Sequence, residues 1–565
     1  ANMLFIDGGN DHVNIGTASD LGGVLNINGI TVIRGTGSTS QITMQDSGGN
    51  IDGYLYAASG SVGFLDDDGH WTIECVTDSR IAFSVNNSEK FRISSDGSLS
   101  TPTAGTSNVR LGVNAGNSII SGGNYNTVVG DEAGTGITNG SGSTAFGYQA
   151  LATEDTGGRS TAIGYQALAL QNIDSATVYN TAVGYEAGAA ISTGVRNTAI
   201  GGLALDVQQT THDSVAVGWQ ALTTNTAGEM TAVGTSALEA NTSGARNVAV
   251  GYNALSANQT DTDNTAVGHN ALKLSAGGYY GTAVGSNAGA AITSGIRNTA
   301  IGSHALDANQ TSNYNTAVGY NAAGATTGES NTALGDQALL ANIGGTHNTA
   351  LGRDSMGSNT TGTYNTSVGV SSLYTNQDGD FNVAVGYAAL STMESDSGGQ
   401  DCFNTAVGVY AGKELSTGIQ CTFVGGRAGE SGTQTGDNNT AVGFNAGYAL
   451  VAATQNTLMG AYAGDAISSG DANVAVGYSA LGTTDVGGYN TAIGNSALGL
   501  NVDGSRSVAV GHGALYTQEP ASAVNMNNTA VGYIAGYAVT TGNDNTFIGG
   551  NAGDAINTGS YNTAV

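Results

Sequence analysis

Charge is scarce in this sequence. Asp, Glu, Lys and Arg make up 10% of 565 residues, too few to clothe an ordinary globular surface, and 90 Gly are too many for an ordinary core. Basic residues are scarcest: 14 Lys and Arg against 43 Asp and Glu give a formal charge of −29. Duplex DNA, RNA and anionic membrane surfaces are therefore poor partners. No run approaches the roughly 18 apolar residues that a bilayer span needs, so no membrane insertion is expected, and Ala1 opens no signal-peptide pattern. Of three cysteines, Cys75, Cys402 and Cys421, none sits in a CxxC, so neither a disulfide framework nor a metal site is implied. Cys402 and Cys421 stand one repeat apart, which leaves a cross-turn bond open, but two buried thiols is the preferred reading.

What is abundant is repetition. The stretch NVAVGYNAL at Asn247–Leu255 recurs as STAIGYQAL at Ser160–Leu168 and NTAVGYNAA at Asn315–Ala323. Taking the Gly of this motif as an anchor gives 26 anchors from Gly112 to Gly549, and 18 of the 25 spacings are 17 residues. Longer insertions precede Gly184, Gly408 and Gly532. Thr or Val three before the anchor and an apolar residue one before it read as a short strand with one face buried. Ala, nearly always two before, makes the opposite face tight too, and a strand covered on both faces belongs in a parallel stack. The anchor Gly allows a bend or a close backbone approach. Asn stands four before the anchor in 19 of 26 turns, where stacking would form a ladder of amides, each bonding the next.

A second rule lies beyond the anchor. Three after it, Ala occurs in 24 of 26 turns, with Ser355 and Ser372 the exceptions. Four after it, Leu occurs in 14 turns and Gly in 10. Where it is Gly, the residue seven after is Ile, Leu or Val in nine of ten, as at Ile191, Ile292 and Leu415; where it is Leu, that residue is polar in 13 of 14. One large apolar side chain per turn thus comes from either of two places, as a core of fixed volume demands. The rest is rich in turn residues, and helical periodicity is absent. The expected fold is all-β: a parallel β-solenoid, or β-roll, of about 26 coils over residues 106–565. Each turn should hold a strand, a bend, a short second strand and a loop. At roughly 4.8 Å per coil the rod would be on the order of 120 Å long. Asn562–Val565, NTAV, begins another repeat, so the region is expected to continue past the C-terminal end.

The motif N-T-A-V-G-x-x-A resembles S-V-A-I-G-x-x-S/A in the heads of trimeric autotransporter adhesins of the Yersinia adhesin type, over about 80% of the chain. The resemblance implies a left-handed parallel β-roll and a homotrimer packed around an axis. The turn here is longer than that family's. Residues 1–105 lack the period and alternate apolar and polar residues between Gly, Asp and Asn turns, as β-rich hairpin or shaft modules. Their run GYLYA…GSVGFLDDDGHWTIE…EKFRISSDG resembles segments of tailed-phage tail fibres. Together these imply an extracellular, non-enzymatic fibre, most readily a virion tail fibre that presents surfaces for a cell-surface glycan or protein receptor. A bacterial surface adhesin or secreted filament is the alternative, and a polysaccharide-cutting tailspike trails, because no recurring carboxylate pair is present.

No cofactor is implied. Loop-bound calcium is the rival use of the acids, at Asp261, Asp263 and Asn264 and at Asp66–Asp68, although the GGxGxD signature is missing. The aromatics are the candidate glycan or receptor contacts. Tyr148, Tyr165, Tyr185, Trp219, Tyr252, Tyr320, Tyr387 and Tyr478 follow their anchors directly. A second set, Tyr125, Tyr179, Tyr280, Tyr314, Tyr364 and Tyr489, precedes the Asn. Stacked packing at corners with wet hydroxyls would explain both sets structurally. The overlong turns at Gln171–Tyr179, Ser391–Phe403 and Tyr516–Asn527 should project from one edge. The second carries the candidate protruding loop, with Met393, Glu394, Asp396 and Asp401.

Overall fold

The computed structural model describes residues 39–45, 51–58, 61–68, 70–76, 80–86, 88–95, 99–101 and 104–565, apart from 175–176, 208 and 396–397. The strands read in LFIDGGNDHVNIG and VLNINGITVIRGTG lie outside the described residues. Contacts divide the chain into two units, Ala1–Arg110 and Leu111–Val565.

Among the described residues of the first unit, seven strands form an antiparallel meander in chain order, from Thr39–Gln45 to Leu99–Ser100. Ile42, Leu55 and Phe64 sit directly opposite one another on three neighbouring strands, and all three are exposed. On the other face Arg80 bridges Glu74 and Glu89, each at 3.2 Å.

The second unit is a parallel β-solenoid of about 27 turns. Its 27 short strands, from Val109–Leu111 to Thr563–Ala564, join in chain order. The register never slips: Ala182 pairs with Ala199, and Ala249 with Ala266. Even the insertions leave it intact, with Ala162 opposite Ala182 and Ala384 opposite Ala406. The anchor Gly is required twice over. Gly251 has φ +136°, and a Cβ there would lie 2.4 Å from the Gly268 carbonyl oxygen.

Two expectations are reversed. Ala two before the anchor points into its own coil and is buried, whereas the residues on either side of it face outward, with Ile301, Leu334 and Leu351 exposed. The coil is thin, so Ala is the side chain that fits its interior at this point. Among the described residues the short second strand is also absent. Residues one to six after the anchor are turns, joined to neighbouring turns by bonds such as Leu255 N–H to Ala271 C=O at 3.0 Å.

The Leu/Gly alternation has a backbone cause. The residue four after the anchor is left-handed in both kinds of turn, with φ 51° at Leu255 and 57° at Gly289. A left-handed non-Gly residue costs about 1–2 kcal/mol, against about 1.5–3 kcal/mol from burying a Leu side chain. Leu fills the core and carries the strain. Gly relieves the strain and leaves room that Ile292 enters, its Cδ1 2.9 Å from where a Gly289 Cβ would stand. Leu255 and Ile292, 0% and 1% exposed, lie in one continuous core, as the compensation rule requires.

The seventh residue is buried when polar as well. There the amide ladder forms: Asn241 donates to Asn225 at 2.7 Å, Asn359 to Asn342 at 2.8 Å and Asn376 to Asn359 at 3.0 Å. The Asn four before the anchor mostly serves backbone instead. Asn247 accepts from Asn264 N–H at 2.9 Å and donates to the Asp261 carbonyl at 2.6 Å.

The core has a third source of volume that the repeat consensus hides. Val128, Phe423, Leu458 and Phe547 replace Ala two before the anchor. Each has Gly four after the anchor in its own turn and in the preceding one. A Cβ on Gly412 or Gly429 would come within 2.7 or 2.5 Å of the Phe423 ring. The Ser exceptions are coupled likewise: buried Ser367 bonds Ser355 at 2.8 Å and Ser372 at 2.5 Å.

Candidate functional site

Four columns of side chains run outward around the strand, at five, three and one before the anchor and one after it. Tyr148, Tyr165, Tyr185, Trp219, Tyr252, Tyr320, Tyr387 and Tyr478 all lie in the last of these and are all exposed. Their rings are not equivalent. Tyr148, Tyr165 and Tyr185 stack face to face at 5.2 and 5.3 Å, and Tyr252 stacks on His269 at 5.5 Å. Trp219 lies over Gly202. Stacked rings use their faces on each other and show edges to water. Tyr387 meets Tyr410 at 78° and Tyr478 meets Tyr462 at 71°, edge-on arrangements that leave ring face open.

The second aromatic set, five before the anchor, is exposed as well and left-handed in backbone. Tyr364 and Phe381 stack at 5.1 Å between His347 and Phe403. Elsewhere in this column Arg297 lies over Tyr280 and Tyr314, while Arg196 pairs with Asp213 at 2.6 Å. The Arg partners hold the Asp213 and Asp263 carboxyls below the usual range through direct hydrogen bonds.

The three insertions begin at one place in the turn, immediately after the buried seventh residue: Gln171, Met393 and Gln518. The second and third rejoin the stack through parallel pairing, Asp380 with Asp401 and Gly504–Ser505 with Val524–Asn525. Met393 is fully buried and anchors its loop from the core, while Glu394 and Asp401 are exposed. Asp396 lies outside the described residues.

Asp261, Asp263 and Asp66 are engaged by protein groups. Asp261 is buried, and its Oδ2 accepts from Ser275 Oγ, Gly277 N–H and Gly278 N–H at 2.8–2.9 Å. Asp263 accepts from Arg246 at 2.7 and 2.9 Å. Asp66 accepts the His70 N–H at 2.7 Å, which lowers its pKa. Among the described residues no three His, Cys, Asp or Glu converge as a metal site. Glu154 is buried in the seventh-residue column and accepts Gly157 N–H at 2.7 Å; burial raises its pKa. Cys402 and Cys421 are free and buried.

One feature of the surface is invisible in a single repeat. A cavity of about 310 Å³ opens beside Tyr478, with Asp465 and Tyr516 on its lining. It arises from the order of residues five after successive anchors, a sequence signal that appears only when turns are read across rather than along the chain.

No protein-family model, curated protein or solved structure matches this chain.

Proposed function

We propose that this chain is part of a homotrimeric extracellular fibre, a tailed-phage tail fibre whose rod extends and presents host-receptor-binding surfaces. One observation carries the reading. The outward strand face, three and one before each anchor, holds only Thr or Val in the first column and only apolar residues in the second, through all 26 turns. No charge interrupts it on a chain of net charge −29. In a single chain Met459 on this face is 49% exposed and Leu334 44%. Monomeric proteins rarely leave an apolar strip of this extent in water. These outward-facing columns are the surface a second and third copy covers. The number three comes from the resemblance of the repeat to autotransporter adhesin heads. That resemblance also supports the alternative, a bacterial surface adhesin or secreted filament of the same build.

Substituting Val233, Val250 and Val267 together by Lys tests the reading. The assembly should dissociate in size-exclusion chromatography with light scattering while the β circular dichroism persists. An unchanged mass, or a parent chain that is already monomeric, contradicts it. Sequence flanking the repeat separates phage from adhesin, since a cleaved intramolecular chaperone belongs to the first and a membrane-anchor barrel to the second.

A further inference from the structure

We infer that the cavity beside Tyr478 is a subsite for one neutral pyranose unit of a glycan. This deepens the receptor-binding reading above and rests on it for its biological setting. Five after the anchor, four successive turns carry Asp465, Gly482, Gly499 and Tyr516. Nowhere else in the repeat do two consecutive turns have Gly there. With stacked turns about 4.8 Å apart, the pair removes side chains over roughly 10 Å of the rod. The resulting cavity of about 310 Å³ is at the lower end of small-ligand sites.

Its ends are built from different chemistry. At one, the Tyr516 ring lies against Gly499, its Cε2 2.8 Å from where a Cβ would be, and is backed by Tyr537 stacked at 5.2 Å. At the other, Asp465 Oδ1 is shielded from water and has no hydrogen-bond partner. That oxygen stands 3.6 Å from the Cβ position of Gly482, over the space the missing side chain vacates. Burial pushes the Asp465 carboxyl up to about 6, against the opposing pull of the residue's own backbone N–H. On the flank, Tyr478 is 55% exposed and meets Tyr462 edge-on, so ring face remains open. An orphaned carboxylate oxygen calls for an O–H donor, and an open aromatic face suits the C–H rim of a sugar ring. The net charge of −29 disfavours an anionic sugar.

The test uses the intact protein and three probes, the methyl α-pyranosides of glucose, galactose and mannose, followed by saturation-transfer NMR and calorimetry. At least one should bind saturably with a millimolar dissociation constant. Asp465→Asn should weaken it about tenfold, and Gly482→Gln, which refills the column, should abolish it. Ile343→Ala, at an exposed position outside the cavity lining, should leave it unchanged. Asn is isosteric with Asp, so that arm does not depend on a tolerated core change. Binding by none of the three, or equal binding by Gly482→Gln, overturns the inference. A trimer that binds none leaves the fibre reading standing; a monomer that binds one leaves the subsite standing without the trimer.

Discussion

The turn around Phe423 offers the sharpest perturbation of the core. It has Gly429 four after its anchor and Gly432 seven after, so neither usual source supplies a large side chain. Phe423, 1% exposed, fills that space and the space above Gly412 in the preceding turn. Phe423→Ala therefore opens a cavity walled by two glycines that have nothing to move into it, and should cost about 3–5 kcal/mol. Gly429→Leu alone places a Cβ 2.5 Å from Phe423 Cε1 and should cost at least about 1–3 kcal/mol by overpacking. Combined, the two changes recreate the common turn, Ala two before the anchor and Leu four after, on a backbone already left-handed at φ 58°. The double variant should recover about 2 kcal/mol or more relative to the sum of the singles. Because a solenoid opens locally, the assay is native-state hydrogen exchange of amides in residues 405–443, with denaturant unfolding beside it. Additive costs, or a Gly429→Leu variant as stable as the parent, would refute the fixed-volume core.

Three further outcomes follow from the same geometry. Gly251→Ala forces a left-handed φ of +136° on a residue whose Cβ meets the Gly268 oxygen; exchange protection of the flanking turns should fall by about 3 kcal/mol or more. Burial pushes the Cys402 and Cys421 thiols up to about 11, so both should resist iodoacetamide at pH 8 in the folded protein and react once it is denatured. Deleting residues 395–399 restores a 17-residue spacing between Gly386 and Gly408 while keeping buried Met393; the melting temperature should change by only a few degrees, and a collapse of the fold would count against the loop's being an appendage.

The period, the parallel stack and the pairing of Leu255 with Ile292 in one core were legible in the sequence, because packing volume leaves a statistical mark on residue type. The direction of the strand was not. Small Ala at a tight contact and small Ala inside a thin coil look alike, so the buried and outward faces were exchanged. The left-handed backbone at Leu255 left no mark either, since Leu has no preference for that conformation and only its alternation with Gly hints at it. Exposure of Tyr148 and Tyr478 could be read from their corner positions, but not that one ring is stacked and the other edge-on. The cavity leaves no mark within a single repeat, because Asp465, Gly482, Gly499 and Tyr516 become neighbours only after the chain has wound three times.

Cryo-electron microscopy of the purified protein bears most directly on the claim that the repeat builds an assembled rod. The account predicts three solenoids around one axis, with rungs about 4.8 Å apart and the column of Val217, Val233, Val250 and Val267 turned toward the neighbouring copies. A single solenoid with that column in open solvent, at a particle mass of 56.0 kDa, would contradict it.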